Sequence, residues 1–318
     1  MLDIVRGPRL AERTSLRLGG TALAEVRMTS LADLDALPHC LARLGGEPVV
    51  LGYGTNILAH DGDLPLVIVS PKFTDDTRED AELLVGGKAD GCIDGVSHCI
   101  VSVAASMSLP RLLARLAVWG LSGLEGLAGV PSSVGGAVAM NAGSYGYEMG
   151  PALYSVTIFT PRLGLVTLKQ GEFSFAYRHF KPHCVGEHEW FMVVRVELAL
   201  RPASSQSIKA HMRACHEKKR ATQPIWAHSA GCIFRNPVDE AGQSISAGKL
   251  LDEAGMKGIS IGHMAMSEVH ANFLVNNAQG YEGCSADAFA LLDMAKERVF
   301  DKFGITLACE VRVLPCPY

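Results

Sequence analysis

The sequence predicts an α+β fold in two parts, and three observations support this prediction. Short β/α units fill residues 17–70, consecutive strand-like runs fill residues 153–200, and short strands alternate with helices in the last third of the chain. This change of pattern places a boundary near residue 203. The turn sequence Thr222-Gln223-Pro224, which ends a helix over 207–220, is a second candidate boundary.

Apolar runs predict the first elements in order. A strand at 24–28 leads to a helical stretch at 30–44, strands at 47–52 and 64–70, and short apolar runs over 80–104. The first clear helix is predicted at Pro110–Trp119, because four leucines recur at helical spacing. Ser108 is its expected N-cap and Gly120 its expected end. The leucines are Leu109, Leu112, Leu113 and Leu116.

A glycine-rich segment at 120–150 precedes the strand-like runs LYSVTIFT, LGLVTL, EFSFAYR and EWFMVVRVELAL. Beyond residue 222 the predicted order is strand (CIFR), helix (GKLLDEAG), strand (ANFLVN), long helix and terminal strand (ITLACEVRVL). The long helix is expected to be capped by Ser285 and to stop at Gly304. Its apolar face carries Leu292, Ala295, Val299 and Phe303.

Composition excludes several classes of protein. The chain has 318 residues, 48% of them hydrophobic and 19% charged, so it is neither disordered nor fibrous. A net charge of −4 gives no basic excess for nucleic acid. No signal peptide or membrane-spanning run is visible. Nine cysteines without a CxxC pair favour free thiols in a reducing cytoplasm and disfavour a zinc site.

Two glycine-rich motifs are candidates for binding an anion. Gly52-Tyr53-Gly54-Thr55-Asn56 follows an apolar strand and offers backbone and side-chain donors. Ile57 stands where a third glycine would complete a Rossmann fingerprint, so an ordinary strand-loop-strand turn remains an alternative. The uncharged stretch 126–146, with six glycines, could line a pyrophosphate or a flavin ring; a glycine-rich connection under a sheet is its alternative.

Three single residues are candidates for chemistry. Strand alternation through 173–178 places Arg178 on the face opposite Phe173, Phe175 and Tyr177, where it could clamp a carboxylate or simply be exposed. Cys232 follows a glycine and could act as an acid, although a lone cysteine is more often a small buried apolar residue. Glu310 faces away from the apolar side of the terminal strand, as a solvent-facing residue also would.

The basic residues and the histidines each have an explanation that involves no chemistry. Lys218-Lys219-Arg220 complements the dipole of a helix C-terminus and could also hold a substrate phosphate. The eleven histidines form no metal-ligand motif, and those at 179, 183 and 188 read as solvated polar residues.

The order of these motifs resembles that of the UDP-N-acetylenolpyruvoylglucosamine reductase (MurB) family over roughly residues 14–314. The run begins with TSLRLGG, LGYGTNIL and LAGVPSSVGGAVAMNAGSYG. It continues with FAYR, SAGCIFRNP, GKLLDEAGMKG, VHANFLVN and a closing EVR. The resemblance implies an FAD-binding part of the vanillyl-alcohol-oxidase type in two lobes, 1–68 and 69–203. A substrate-binding domain would span 204–318.

The resemblance also implies an activity. NADPH reduces non-covalently bound FAD, and flavin N5 delivers hydride to the enolpyruvyl group of UDP-N-acetylenolpyruvoylglucosamine. A protein acid then supplies the proton, which gives UDP-N-acetylmuramate for peptidoglycan. The expected protein is bacterial, cytoplasmic and monomeric, with these two nucleotides as partners and no nucleic acid or membrane.

Site residues carry over from the resemblance position by position. Arg178 matches the arginine that meets the developing negative charge, and Glu310 matches its acidic partner. Cys232 occupies the place of a proton-donating serine. The substrate-binding positions are Arg220 and Asn236. The FAD positions are Gly52, Tyr53, Gly54, Thr55, Asn56, Ile57, Pro131, Ser132, Ser133, Gly135, Gly136, Ala137 and Asn141.

The chain departs from the family pattern at several positions. Ser132 replaces a glycine, Thr55 a serine and Arg235 a lysine, and each substitution keeps the size or charge. His263 stands where glycine is common, and His-Phe follows Arg178. No extra tyrosine loop lies between Arg178 and Cys232, which favours the subclass without that loop.

Two other functions are compatible with the motifs. One is an oxidase of the same flavoprotein fold, which would need no set of Arg178, Cys232 and Glu310. The other is a non-catalytic protein that binds a nucleotide sugar. The catalytic hypothesis further requires that these three residues converge beside the flavin.

Overall fold

A computed structural model describes residues 2–73, 81–84, 98–239 and 241–315 of the chain. These residues form seven α-helices and twenty short or medium strands. The helices are α1 (Leu37–Leu44), α2 (Leu109–Trp119), α3 (Val134–Ala139), α4 (Met149–Ala152), α5 (Ser205–Thr222), α6 (Ala247–Glu253) and α7 (Ser285–Phe303).

The strands are numbered in chain order. They are β1 (Asp3–Arg6), β2 (Thr21–Met28), β3 (Glu47–Val50), β4 (Ile57–Ala59), β5 (Asp63–Pro71), β6 (Ala81–Leu84), β7 (Cys99–Ala104), β8 (Leu121–Ser122), β9 (Gly143–Ser144) and β10 (Tyr147–Glu148). The remainder are β11 (Leu153–Thr160), β12 (Gly164–Lys169), β13 (Phe173–Ala176), β14 (His179–Pro182), β15 (Met192–Pro202), β16 (His228–Cys232), β17 (Ser260–Ile261), β18 (Met264–Met266), β19 (Phe273–Asn276) and β20 (Arg312–Leu314).

The chain divides into two compact units. The first comprises Met1–Val5, Glu25–Gly52 and Val67–Lys218, and the second comprises Arg6–Ala24, Tyr53–Leu66 and Lys219–Tyr318. A four-stranded sheet has the strand order β1-β2-β5-β3.

The core of the first unit is an antiparallel sheet with the order β12-β11-β15-β7-β6, to which β8 adds through β15. The long strand β15 lies in the middle, because it pairs with both β11 and β7. Helix α2 contributes its four predicted leucines to this core, and each is nearly inaccessible to solvent. Gly120 ends α2 in the left-handed conformation, with φ +69°. Ser108 precedes the helix without a side-chain capping bond.

The second unit has its own core around the antiparallel sheet β16-β19-β18-β17 and the helices α6 and α7. Leu292, Ala295 and Val299 of α7 are buried as predicted, and Phe303 is half-buried. Gly304 ends this helix with φ +69°. A separate parallel pair joins β20 to β4.

The sequence misplaced the ends of three elements. The strand containing Phe173 ends at Ala176, so Arg178 belongs to a turn. The terminal strand covers only Arg312–Leu314, because its partner β4 offers three residues for pairing. The strand predicted as CIFR instead ends at Cys232 and lies mostly before it.

The N-terminus of α7 is capped by a residue distant in sequence. Ser285 is the first helical residue, and its backbone N–H donates to Oδ2 of Asp61 at 2.7 Å. The backbone N–H of Asp61 donates in return to Oγ of Ser285 at 3.0 Å. Asp61 therefore caps the N-terminus of α7, and its negative charge also complements the positive end of the helix dipole.

Among the described residues, no helix is both long enough and apolar enough to cross a lipid bilayer.

We predict that Asp61→Ala lowers the free energy of unfolding by about 1 kcal/mol, because the first turn of α7 loses its acceptor. Urea unfolding followed by circular dichroism measures this change. Asp63→Ala, which removes an exposed carboxylate at the start of β5, is the control and should change stability by less than about 0.5 kcal/mol. Equal effects in both variants would contradict the capping role.

Candidate active site

In the first unit, the candidate cofactor residues Gly52 and Ser133 lie in contact. A Cβ atom added at Gly52 would lie 2.5 Å from Oγ of Ser133, so no side chain fits at this position. Ser133 caps α3 by accepting from the N–H of Gly136 at 3.2 Å. The N–H groups of Val134 and Gly135 donate to the carbonyls of Met107 and Ala105. The N–H groups of α3 are thus bound by protein acceptors, and cofactor donors are expected from the neighbouring loops.

Asn141 is buried, and its carboxamide makes three hydrogen bonds within the first unit. Its Nδ2 donates to Oε2 of Glu148 at 3.1 Å and to the carbonyl of Ala176 at 3.2 Å. Its Oδ1 accepts from the N–H of Gly150 at 3.0 Å. The backbone of Asn141 has φ +38°, a conformation that asparagine tolerates better than most residues. This side chain therefore ties two segments, 148–150 and that of Ala176, to its own.

Arg178 occupies the turn between β13 and β14, where Ala176 pairs with His179. Its φ is +56°, in a turn position that usually selects glycine or asparagine. Its guanidinium lies 4.9 Å from the centre of the Tyr177 ring. The residue is half-buried, so the cation is held in a defined place at the end of the hairpin.

In the second unit, the loop of Tyr53, Gly54, Thr55 and Asn56 leads into β4 at Ile57. Gly54 has φ +63°, and a Cβ atom there would clash with the carbonyl oxygen of Arg13. Glycine is therefore required at this turn for both conformation and space.

Ser15 was not singled out by the sequence, yet it joins this loop to the strand of the candidate acid. Its N–H donates to the carbonyl of Gly54 at 3.1 Å, and its Oγ donates to the carbonyl of Ser229 at 2.6 Å. The residue belongs to the TSLRLGG motif. The small hydroxyl residues of this motif were the feature from which the sequence could have indicated the role of Ser15.

Cys232 lies at the end of β16, directly after a β-bulge. His228 and Ser229 pair with Asn276 and Val275, but Cys232 pairs with Phe273, so β16 carries one extra residue. Gly231 within the bulge has φ +81°. A bulge bends a strand and redirects the following side chain, and such bulges are common beside active sites. Cys232 is half-buried.

A buried asparagine, also missed by the sequence reasoning, holds the chain that follows Cys232. Nδ2 of Asn272 donates to the carbonyl of Phe234 at 2.8 Å, and its Oδ1 accepts from the N–H of Phe234 at 2.9 Å. The N–H of Ile233 donates to the carbonyl of Asn272 at 2.9 Å. One side chain thus satisfies both backbone groups of Phe234 where the regular ladder stops.

Glu310 runs beside this segment. Its N–H donates to the carbonyl of Ile233 at 2.7 Å, and its carbonyl accepts from Nδ2 of Asn56 at 3.3 Å. Phe234 forms an isolated bridge with Cys309. The second unit therefore brings three predicted site segments together, those of Asn56, Cys232 and Glu310.

The two predicted substrate-binding residues lie on exposed parts of the second unit. Asn236 accepts from the N–H of Ala247 through Oδ1 at 3.0 Å, so its carbonyl oxygen caps α6. Arg220 lies in the last turn of α5 and is exposed, whereas the preceding Lys219 is buried.

The titration of two histidines in the second unit is perturbed. Burial lowers the pKa of His270, whose Nδ1 accepts from the N–H of Asn272 at 3.2 Å. Burial and then the positive charge of Arg17 lower the pKa of His228. Both effects favour neutral imidazole at neutral pH.

The second unit also contains a cavity of about 340 Å³. Among the residues that line it are Arg9, Asp61, Asp63 and Tyr281, and none of its lining residues is a predicted site residue. Within the described part of the chain, no group of three or more His, Cys, Asp or Glu residues is arranged to hold a metal ion.

Comparisons with known proteins show which chains and which fold this protein is similar to. Residues 223–314 match the family model for the UDP-N-acetylenolpyruvoylglucosamine reductase C-terminal domain. The UDP-N-acetylenolpyruvoylglucosamine reductase of Nitratidesulfovibrio vulgaris is 52% identical over 99% of both chains. The reductase of the same name from Oleidesulfovibrio alaskensis is 48% identical over 98% of both. The crystal structure of MurB from Thermus caldophilus matches with a TM-score of 0.75 and 30% identity over 99% of each chain.

The fold and these full-length similarities define the class of protein, an α+β oxidoreductase with the MurB fold. Identity this high over almost the whole chain also decides the family. The chain belongs to the UDP-N-acetylenolpyruvoylglucosamine reductase family.

We predict that Gly231→Ala lowers the free energy of unfolding by about 1 kcal/mol, because alanine is strained at φ +81°. The variant should also slow substrate reduction, since relaxation of the bulge redirects Cys232. Gly255→Ala is the matched control: its φ is +71°, it also has open space around it, and it lies after α6. Both variants should lose similar stability, and only Gly231→Ala should lose activity. Loss of activity in both would contradict the role of the bulge.

We also predict a pH dependence from His270. The pKa of His270 is lowered in the folded state. Near pH 6.5 the unfolded chain therefore binds a proton at this residue that the folded chain does not bind. Stability should therefore fall as the pH drops below about 6.5. Asparagine at this position can still accept from the backbone N–H two residues on. In His270→Asn, the loss of stability between pH 7.5 and pH 5.5, measured by urea unfolding, should be smaller. An unchanged loss would exclude His270 as its source.

Proposed function

We propose that this chain catalyses the FAD-mediated, NADPH-consuming reduction of UDP-N-acetylenolpyruvoylglucosamine to UDP-N-acetylmuramate in the bacterial cytoplasm. The observation that carries the proposal is the thiol of Cys232, presented by a bulge in a chain that is 52% identical to a named reductase throughout. The seven cysteines that the structure describes carry free thiols, which suits a reducing compartment.

The residues present fit FAD in their chemistry. The loop of Tyr53, Gly54, Thr55, Asn56 and Ile57, together with Gly52, offers backbone and side-chain donors without bulky side chains. Pro131, Ser132, Ser133, Gly135, Gly136, Ala137 and Asn141 would complete the cofactor set. Gly135, Gly136 and Ala137 would do so as small residues that allow close approach, because their N–H groups already have protein acceptors. A Cβ atom at Gly52 or at Gly54 would clash with a neighbouring atom, so at each position the bare backbone would face the cofactor. Bound FAD, once reduced by NADPH, would supply the hydride that the substrate's methylene carbon receives.

Arg178 has the role of meeting negative charge. Addition of hydride to the enolpyruvyl group pushes electrons onto the substrate carboxylate, which then resembles an enolate dianion. A preorganised cation lowers the energy of that state without reorganising during the step. A planar guanidinium is suited to a carboxylate because it can donate two parallel hydrogen bonds.

Cys232 has the role of the general acid. The carbon beside the new methyl group must take a proton, and the thiol releases one more readily than a serine hydroxyl would, since cysteine ordinarily ionises near pH 8.5. Glu310, whose backbone is hydrogen-bonded to the residue after Cys232, is proposed as the acidic partner in the site. Arg220 and Asn236 are proposed to bind the nucleotide part of the substrate.

The proposal predicts a yellow protein whose flavin spectrum is bleached by NADPH without oxygen and restored by the enolpyruvyl nucleotide. Cys232→Ala should leave flavin reduction within about twofold of wild type and slow reoxidation by substrate by about 10²–10⁴-fold. Cys232→Ser should recover much of that rate, because a hydroxyl can also donate a proton. Stopped-flow absorbance separates the two half-reactions.

Cys40→Ala, which removes a half-buried thiol from α1, is the control and should change neither half-reaction. Equal loss in both half-reactions of Cys232→Ala would make Cys232 structural. Oxygen-dependent turnover without NADPH would indicate an oxidase, and bound flavin without any turnover would indicate a non-catalytic binding protein. A colourless protein that takes up no FAD would refute the proposal.

A further inference from the structure

We infer that Glu148 and Asn141 position the guanidinium of Arg178, and thereby set how strongly this protein binds the carboxylate of its substrate. The inference rests on the proposed function and adds two positioning residues to it. All of the contacts that carry it lie within the first unit.

The first step is the strain in the backbone. Only four non-glycine residues among those the structure describes have positive φ, and Asn141 and Arg178 are two of them. Residues held in such conformations are strained and persist where the surroundings enforce them. Here one hydrogen bond links the two places, because Nδ2 of Asn141 donates to the carbonyl of Ala176, two residues before Arg178.

The second step is that the carboxylate of Glu148 and the guanidinium of Arg178 both lie next to Gly143. A Cβ atom built on Gly143 would lie 3.2 Å from Nη1 of Arg178, 2.9 Å from Cγ of Glu148 and 3.3 Å from its Oε1. The cation and the carboxylate therefore both lie against the α-carbon of Gly143. The opposite oxygen of Glu148, Oε2, accepts from Nδ2 of Asn141 at 3.1 Å, which orients the carboxylate.

The third step joins these contacts into one arrangement. Asn141 holds the turn of Arg178 from one side and the carboxylate of Glu148 from the other, while Gly150 N–H fixes the remaining amide oxygen. The missing side chain at Gly143 leaves the space that the guanidinium and the carboxylate share. A charged group fixed in this way needs little reorganisation when a substrate carboxylate arrives.

Glu148 is exposed, so water weakens its attraction to Arg178 in the free protein. Its contribution is therefore orientation of the guanidinium more than stability of the fold. A substrate that displaces water would strengthen this attraction, because the local dielectric falls.

The test compares two nucleotides that differ in one group. UDP-N-acetylenolpyruvoylglucosamine carries the carboxylate that Arg178 is proposed to meet, and UDP-N-acetylglucosamine lacks it. Binding is measured by calorimetry on the oxidised holoenzyme without NADPH, so no turnover occurs. Glu148→Gln keeps an oxygen for Asn141 and removes the charge. We expect it to weaken binding of the enolpyruvyl nucleotide about tenfold, as loss of a supporting partner commonly does. Binding of UDP-N-acetylglucosamine should change less than twofold.

Two further variants sharpen the result. Gly143→Ala places a methyl group 3.2 Å from Nη1 of Arg178 and 2.9 Å from Cγ of Glu148, so these side chains must shift. It should give the same selective loss without removing either residue. Glu172→Gln is the matched control, an exposed carboxylate of the same unit that accepts from the N–H of Lys169, and it should bind both nucleotides as wild type does. The rate of flavin reduction by NADPH should stay unchanged in all three.

Unchanged binding of the enolpyruvyl nucleotide by Glu148→Gln would overturn the inference. Equal weakening for both nucleotides, with a lower melting temperature, would make Glu148 a structural residue and overturn it too. Failure of the proposed function is recognised separately, because wild type itself would then neither prefer the enolpyruvyl nucleotide nor be reoxidised by it.

Discussion

A single buried carboxamide organises the second unit around its candidate acid. Strand β16 leaves the regular ladder at its bulge, and the backbone of Phe234 would then be left without strand partners. Asn272 provides both partners at once, at 2.8 and 2.9 Å, in a place where the residue is 2% exposed. Leaving a buried backbone group without a hydrogen bond costs about 1–3 kcal/mol of folding free energy. The two bonds from Asn272 remove this cost where the chain leaves the sheet.

The consequences of this clamp extend to the other candidate residues of the unit. Because Asn272 holds Ile233 and Phe234 in place, they can pair with the segment of Cys309 and Glu310. Asn56 then binds the carbonyl of Glu310 and ties the glycine loop to the same segment. Hydrogen bonds to backbone groups, made by other backbone groups and by the carboxamides of Asn272 and Asn56, hold these segments together.

The first unit uses a similar solution at Asn141. There too a buried carboxamide holds an irregular backbone next to a candidate site residue, in this case Arg178. In both units, small polar side chains of fixed geometry take over where strands and helices end. This explains why a buried asparagine, rather than a charged residue, stands at each of these two places.

Apolar periodicity by itself determined the helices α2, α5 and α7 and the strand runs of both units, because burial of one face repeats every 3.6 or two residues. The order of the motifs also determined the family. Only the tertiary structure decided four other features. They are the backbone conformations of Arg178 and Gly231, the capping of α7 by Asp61, and the hydrogen bonds of Asn272 to Phe234. Their partners lie far along the chain, 38 residues away for Asn272 and Phe234 and 35 for Asn141 and Ala176. Such contacts leave no periodic trace in a sequence, since they depend on which backbone groups the finished sheets leave unpaired.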